Sequence, residues 1–195
     1  FFYNATYYLE NPLSILHVWQ GGMSFHGALI GVGLALFTMA KRHNIAFLAL
    51  SDRVAMVTPI GLFLGRLSNF INSELYGRVT DVPWAMIFPH SDGHPRHPSQ
   101  LYEAGLEGVL LGLAMYLCWR QGWLKATGRL TGLFLFGYGL ARFLVELVRQ
   151  PDAHIGLLAG GLSMGQILSL PMMLLGLYLL RHVLRPSHDQ GRNHE

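Results

Sequence analysis

The chain has 195 residues, 51% of them hydrophobic and only 13% charged, with a mean hydropathy of +0.33. Soluble domains carry about 25% charged residues, so composition excludes an ordinary soluble globule and a disordered chain, and no nucleic-acid partner is expected. The single cysteine, Cys118, excludes an intrachain disulfide and a Cys-based zinc site, and with a net charge of only +3 the placement of the basic residues matters more than their sum.

Five windows are long and apolar enough to cross a bilayer, which takes about 20 helical residues. They are 22–40, 45–65, 98–119, 130–148 and 163–180. The first has no formal charge, and His26 is its one ionisable side chain. The second is apolar except for Asp52 and Arg53, the third carries Glu103 and Glu107, and the fourth is interrupted by Arg142 and Glu146. The fifth begins near Ser163. The expected fold class is all-α, a multi-pass transmembrane helical bundle of five spans forming one membrane domain, 1–195.

Lysine and arginine set the orientation. If the first helix runs inward, the cytoplasmic segments hold Lys41 and Arg42, then Arg120, Lys125 and Arg129, then Arg181, Arg185 and Arg192. This predicts a cytoplasmic carboxyl terminus with a polar tail over 186–195, and an extracytoplasmic loop region over 69–97. Pro83, Pro89, Pro95 and Pro98 forbid a continuous helix in that loop. Small-residue pairs at Gly27/Gly31, Gly61/Gly65, Gly108/Gly112 and Gly128/Gly132 permit close approach of helices.

Ionisable groups at membrane depth cost about 2.5 kcal/mol or more and face a cavity or each other. In GRLSNFINSELYGR (65–78), Arg66, Asn69, Ser73 and Tyr76 have the spacing of one helical stripe, and Glu74 pairs with Arg78 if the helix continues. An arginine beside amide side chains and a glycine-ended turn can hold a tetrahedral anion through a fork of donors. The alternative is an Arg66 that snorkels from a helix end. In GYGLARFLVELVRQPD (137–152), Tyr138, Arg142, Glu146 and Arg149 fall on one helical face. Arg142 can simply pair with Glu146, yet a lone internal pair is readily replaced by apolar residues. Two arginines on separate spans near the same side resemble a clamp for an anionic group, and lipid phosphate is the abundant anion at that depth.

His26 titrates near neutrality and can act as a general base, or it is a hydrogen-bonded helix histidine. Gln100, Glu103 and Glu107 share a face and read as neutralising partners of the arginines, and Asp52 and Arg53 as interhelical glue. Three motifs carry less. GLSMG (161–165) matches the nucleophile-elbow pattern, which needs a strand before its serine; here Ser163 is placed to cap a membrane helix. His90, His94 and His97 have ligand-like spacing, but Pro95 and Pro98 prevent a common helical face, and no metal or organic cofactor is expected. Cys118 reads as packing. A transporter for an anionic solute would need a polar stripe reaching both faces, whereas these polar residues crowd one half of their spans. A purely structural subunit leaves two intramembrane arginines without a purpose.

Five segments together carry a resemblance: HGALIG from His26, GRLSNFINSELYG from Gly65, RHPSQLYE from Arg96, GYGLARFLVELVRQPD from Gly137, and SMGQILS from Ser163. In order and over about 19–171, they resemble the prolipoprotein diacylglyceryl transferases of bacterial membranes. The resemblance implies a transferase of the cytoplasmic (inner) membrane that moves the diacylglyceryl group of phosphatidylglycerol to the lipobox cysteine thiol of a prolipoprotein. That is the first step of lipoprotein maturation, and it releases glycerol phosphate. The implied partners are phosphatidylglycerol, a prolipoprotein signal peptide with its lipobox cysteine, and membrane lipid. Carried over by position, the implied catalytic residues are His26, Arg142 and Tyr138, and the implied substrate-binding residues are Arg66, Asn69, Glu74, Gly77 and Glu146. Ala28 stands where the family commonly has a second glycine, and Ser68 where glycine or alanine often precedes the asparagine. The family has further spans upstream, so the chain is expected to be a carboxyl-terminal portion.

Overall fold

The computed structural model describes residues 25–89, 91–150 and 162–182, with side chains from residue 30 onward. Among these residues the regular structure is entirely helical, and backbone pairing elsewhere is limited to isolated bridges. In chain order the helices are α1 (Phe25–Arg42), α2 (Phe47–Ile71), α3 (Ser99–Arg120), α4 (Arg129–Val145) and α5 (Met164–His182). Each predicted window falls on one of them. By length and composition, α2, α3 and α5 are long and apolar enough to cross a membrane.

The chain divides into two compact units, Phe1–Leu50 and Ser51–Glu195. In the first, α1 keeps its charges to its last two residues, Lys41 and Arg42, where the helix dipole favours cations. It closes with Asn44 in the left-handed conformation (φ 53°) and an Ile45 N–H to Ala40 C=O bond of 2.9 Å, the Schellman pattern.

In the second unit, contacts at the helix ends fix the direction of each helix. Asp52, in the second turn of α2, is fully buried and accepts hydrogen bonds from the start of α4: Gly128 N–H (2.6 Å), Thr131 N–H (2.7 Å) and Thr131 Oγ1 (2.7 Å). A carboxylate here satisfies donors that a helix start leaves without partners. At the other end of α2, Arg66 meets Glu103 in the first turn of α3, and Glu103 also meets Arg142 late in α4. Hence α2 and α4 run one way while α3 runs the other. Ser163, just before α5, bonds Glu146 just after α4, so α5 returns antiparallel to α4. The interhelical glue expected of Asp52 is this buried joint.

Ala55, Leu111, Met115 and Leu130 form a buried apolar cluster, with Cys118, Trp123, Phe134 and Tyr138 packed against it. Cys118 thus serves as packing. Backbones touch where α4 crosses α5: a Cβ on Gly176 would lie 2.7 Å from the carbonyl oxygen of Gly132. Gly108 abuts Phe63 in the same way, whereas Gly61 and Gly65 face open space, so only some of the small-residue pairs mark helix contacts. The middle of α3, Ala104–Leu110, is a π-helical stretch. Wider turns of this kind recur at functional sites, and this one follows Glu103 directly and contains Glu107.

Two expectations need correction. α2 ends at Ile71, so Ser73 and Tyr76 do not continue the stripe of Arg66 and Asn69, and the Glu74–Arg78 helical pair does not form. The cause is local: Ser73 is left-handed (φ 58°), and the Glu74 N–H turns back to the Asn69 carbonyl at 2.8 Å, another Schellman closure. Likewise α4 stops at Val145, before the predicted 148, and Arg149 lies beyond the helix in an antiparallel bridge with Gly77.

Candidate active site

The end of the second unit where α2 stops and α3 starts is built by two motifs locking together. After Ser73 the chain puts a second non-glycine residue, Leu75, in the left-handed region (φ 56°), which costs on the order of 1 kcal/mol. Such a turn persists only if its surroundings hold it. Here the first residues of α3 do so, Ser99 Oγ donating to the Leu75 carbonyl at 3.0 Å and Gln100 Nε2 to the Glu74 carbonyl at 2.6 Å. Gly77 then passes through a space too narrow for any side chain. A Cβ there would sit 2.6 Å from the Val148 carbonyl oxygen and 2.7 Å from His97 Cβ. Its N–H donates to the His97 carbonyl (2.9 Å), and Arg78 bonds the backbone at Val148 and Arg149.

On this frame lies a cluster of six ionisable side chains from three helices and the turn after α4. Glu103, buried, is its hub. Its carboxylate stands 2.6 Å from Arg66 Nε, 3.1 Å from an Arg142 terminal nitrogen and 3.5 Å from one of Arg149. Arg66 also reaches buried Glu107 at 3.4 Å, and Arg142 pairs with Glu146 at 2.5 Å. A guanidinium has five N–H groups; the ion pairs engage two of its nitrogens on Arg66 and two on Arg142, while each side chain keeps 17% exposure. Burial, reinforced by the Arg142 charge, holds the Arg149 guanidinium below its ordinary value. Three arginines are crowded together with three carboxyl groups, and an anion that reached them would meet converging donors.

Glu146 links this cluster to α5. Its second oxygen accepts from Ser163 Oγ at 2.6 Å. The Ser163 N–H donates to the Gln166 side-chain oxygen (3.0 Å) and Ser163 Oγ accepts from the Gln166 N–H (3.2 Å), a reciprocal capping box. The serine of GLSMG is therefore a helix cap.

Of the residues singled out in the sequence, Arg66, Glu103, Glu107, Arg142, Glu146 and Arg149 meet in this cluster. Tyr138, half-buried one turn before Arg142, stacks on Phe134. Asn69, Glu74 and Gly77 shape the turn beside the cluster through their backbones, with the Glu74 side chain exposed. His26 is the second residue of α1, and its side chain lies outside the described residues, as does His90. Among the described residues no group of His, Cys, Asp and Glu is arranged to hold a metal. His97 Nδ1 lies 3.2 Å from the Tyr102 hydroxyl, and His94 is exposed. Spacing alone does not reveal the rank of Glu103: it makes Glu103 one of three neutralising residues, whereas all three arginines of the cluster share it. Its place in the first turn after RHPSQ, on the face of Gln100 and Glu107, was the available signal.

A family model described as prolipoprotein diacylglyceryl transferase matches residues 1–182. The chain is 54% identical over 184 residues to a phosphatidylglycerol–prolipoprotein diacylglyceryl transferase of Methylocella silvestris, covering 94% of this chain and 68% of that protein. It is 56% identical over 180 residues to the enzyme of that name from Polynucleobacter asymbioticus, covering 92% and 68%. For the one from Aliivibrio fischeri the identity is 54% over 196 residues, covering 98% and 70%.

Proposed function

The chain belongs to the prolipoprotein diacylglyceryl transferase family, and from that premise we propose that it moves the diacylglyceryl group of phosphatidylglycerol to the lipobox cysteine thiol of a prolipoprotein, releasing glycerol phosphate. The cysteine sulfur forms a bond to the glyceryl carbon as that carbon's bond to the phosphate oxygen breaks. The electron pair leaves on glycerol phosphate, and the thiol proton passes to a base.

Two needs follow: the departing phosphate must be neutralised as its charge grows, and the thiol must be deprotonated. The observation that carries the reading is the convergence of Arg66 and Arg142, from different helices, on the one buried carboxylate of Glu103. Preformed donors of this kind need little reorganisation when charge develops. In this reading Arg66 and Arg142 hold the phosphate, Glu103 keeps their forks facing each other, and Glu146 and Tyr138 orient Arg142. Asn69, Glu74 and Gly77 line the substrate-binding side of the turn. His26, an imidazole suited to general-base work, accepts the thiol proton in this reading, and no cofactor takes part.

All five helices span the bacterial inner membrane in this reading, with the ion cluster near the outer face and the carboxyl terminus cytoplasmic. The distribution of charge supports it: Arg120, Lys125, Arg129 and Arg181 gather at the end that holds Asp52, opposite the cluster.

The test is incubation with phosphatidylglycerol labelled in its acyl chains and a lipobox peptide. Label is expected on the peptide cysteine, abolished by Arg142→Ala and strongly reduced by Arg142→Lys, which keeps the charge but not the fork. Undiminished transfer by Arg142→Ala removes that residue from the mechanism. Movement of an anionic solute with no labelled cysteine would favour a transporter.

A further inference from the structure

Segment 72–98, between the end of α2 and the start of α3, buries Phe88 and exposes Glu74, Asp81 and Asp92, yet it also buries a cation and leaves large apolar side chains uncovered. Its cationic Arg96 is only 8% exposed. It donates to both oxygens of Asp92, to the Gly77 carbonyl and to the Gln150 side chain, and it lies over the Tyr76 ring. Meanwhile Val79, Trp84 and Ile87 are 54%, 60% and 64% exposed. Large exposed apolar groups gathered in one short segment mark a surface that meets something apolar.

The depth of the segment is fixed at both ends and in its middle. It is bracketed by two helices long and apolar enough to cross a membrane. In its middle, the Trp84 indole N–H donates to the Tyr102 hydroxyl at 2.6 Å, and Tyr102 lies in the first turn of α3. The loop therefore lies against the side of that helix, and Trp84 stands level with the helix's first turn. Tryptophan and tyrosine at that level are the usual occupants of the lipid headgroup boundary. Ile71, the last residue of α2, is 79% exposed, so exposed apolar surface on that helix reaches the start of the loop.

We propose that Val79, Trp84 and Ile87 form an interfacial patch that seats segment 72–98 in the headgroup–acyl boundary of the membrane, with Arg96 and its partners on the side turned away from lipid. The patch depends on the helices being in a membrane and not on the transfer reaction, so it can fail or stand independently of the proposed activity.

The test places a nitroxide label at Ile87→Cys in the full chain carrying Cys118→Ser, reconstituted in vesicles of phosphatidylethanolamine and phosphatidylglycerol. His94→Cys, at an exposed position of the same segment, serves as the aqueous reference. Expected is a several-fold higher ratio of collisions with oxygen to collisions with a water-soluble nickel chelate at position 87 than at 94. Val79→Cys should give the same result and replaces Ile87→Cys if that variant does not fold. Equal ratios at 87 and 94 would show that the patch faces water. Low collision rates with both reagents at 87 would show that protein covers it. Either outcome overturns the proposal.

Discussion

Asp52 offers a prediction whose size can be worked from the contacts. Its buried carboxylate accepts three hydrogen bonds of 2.6–2.7 Å from Gly128 and Thr131. Bonds to a charged group contribute about 1.5–3 kcal/mol each, and a buried donor left without a partner costs about 1–3 kcal/mol. Asp52→Asn keeps an acceptor for the two Thr131 donors but turns an N–H2 toward the Gly128 N–H, so about one charged bond is lost and one donor is stranded, about 3 kcal/mol. Asp52→Ala loses all three bonds; because they share one group their contributions do not add fully, and about 5 kcal/mol is expected. For a chain of this size about 1 kcal/mol moves Tm by about 2–4 °C, which puts Asp52→Asn about 6–12 °C below the parent and Asp52→Ala further down. Thermal unfolding in detergent, followed by helical circular dichroism, measures both shifts. The joint is remote from the ion cluster, so transfer well below the new Tm should survive in Asp52→Asn. If both variants melt within about 2 °C of the parent, Asp52 does not hold α4.

Glu103→Gln keeps the shape but removes the charge that three arginines share, and loss of one partner from a buried ionic group costs about 3–5 kcal/mol; both a lowered Tm and a collapse of transfer rate are expected, and an unchanged rate would mean the arginines hold their positions without it. Gly77→Ala forces backbone apart at Val148 and His97 and should cost about 3 kcal/mol together with most of the activity, read by the same melting and labelling assays. Ser73→Gly relieves a left-handed residue at a helix end and should stabilise by about 1 kcal/mol with transfer intact; a lower Tm would contradict the closure described for α2.

Much of the helical framework is legible in the sequence because apolar windows bounded by basic residues leave little freedom. The ends are less so. Helical spacing carried Ser73 and Tyr76 onto the stripe of Arg66 because periodicity contains no information about a left-handed residue, and serine at position 73 hides a turn that glycine would have announced. Spacing puts Arg149 on the face of Arg142 for the same reason, although pairing with Gly77 draws it off the helix. The meeting of Arg66 and Arg142 could be anticipated from two buried charges on spans of matching direction. The identity of the carboxylate between them could not, since Gln100, Glu103 and Glu107 are equivalent by spacing and differ only in how α3 is rotated. Asp52 is similar: its charge advertised a partner, but the partner is backbone more than 70 residues away.

The carboxylate of Glu146 has one oxygen on Arg142 and the other on the hydroxyl that caps α5. A ligand that draws the Arg142 guanidinium toward itself would tug on that oxygen and, through the serine, on the first coil of the neighbouring rod. Occupancy of the arginines and seating of α5 are thus mechanically joined, and loosening either should be felt by the other.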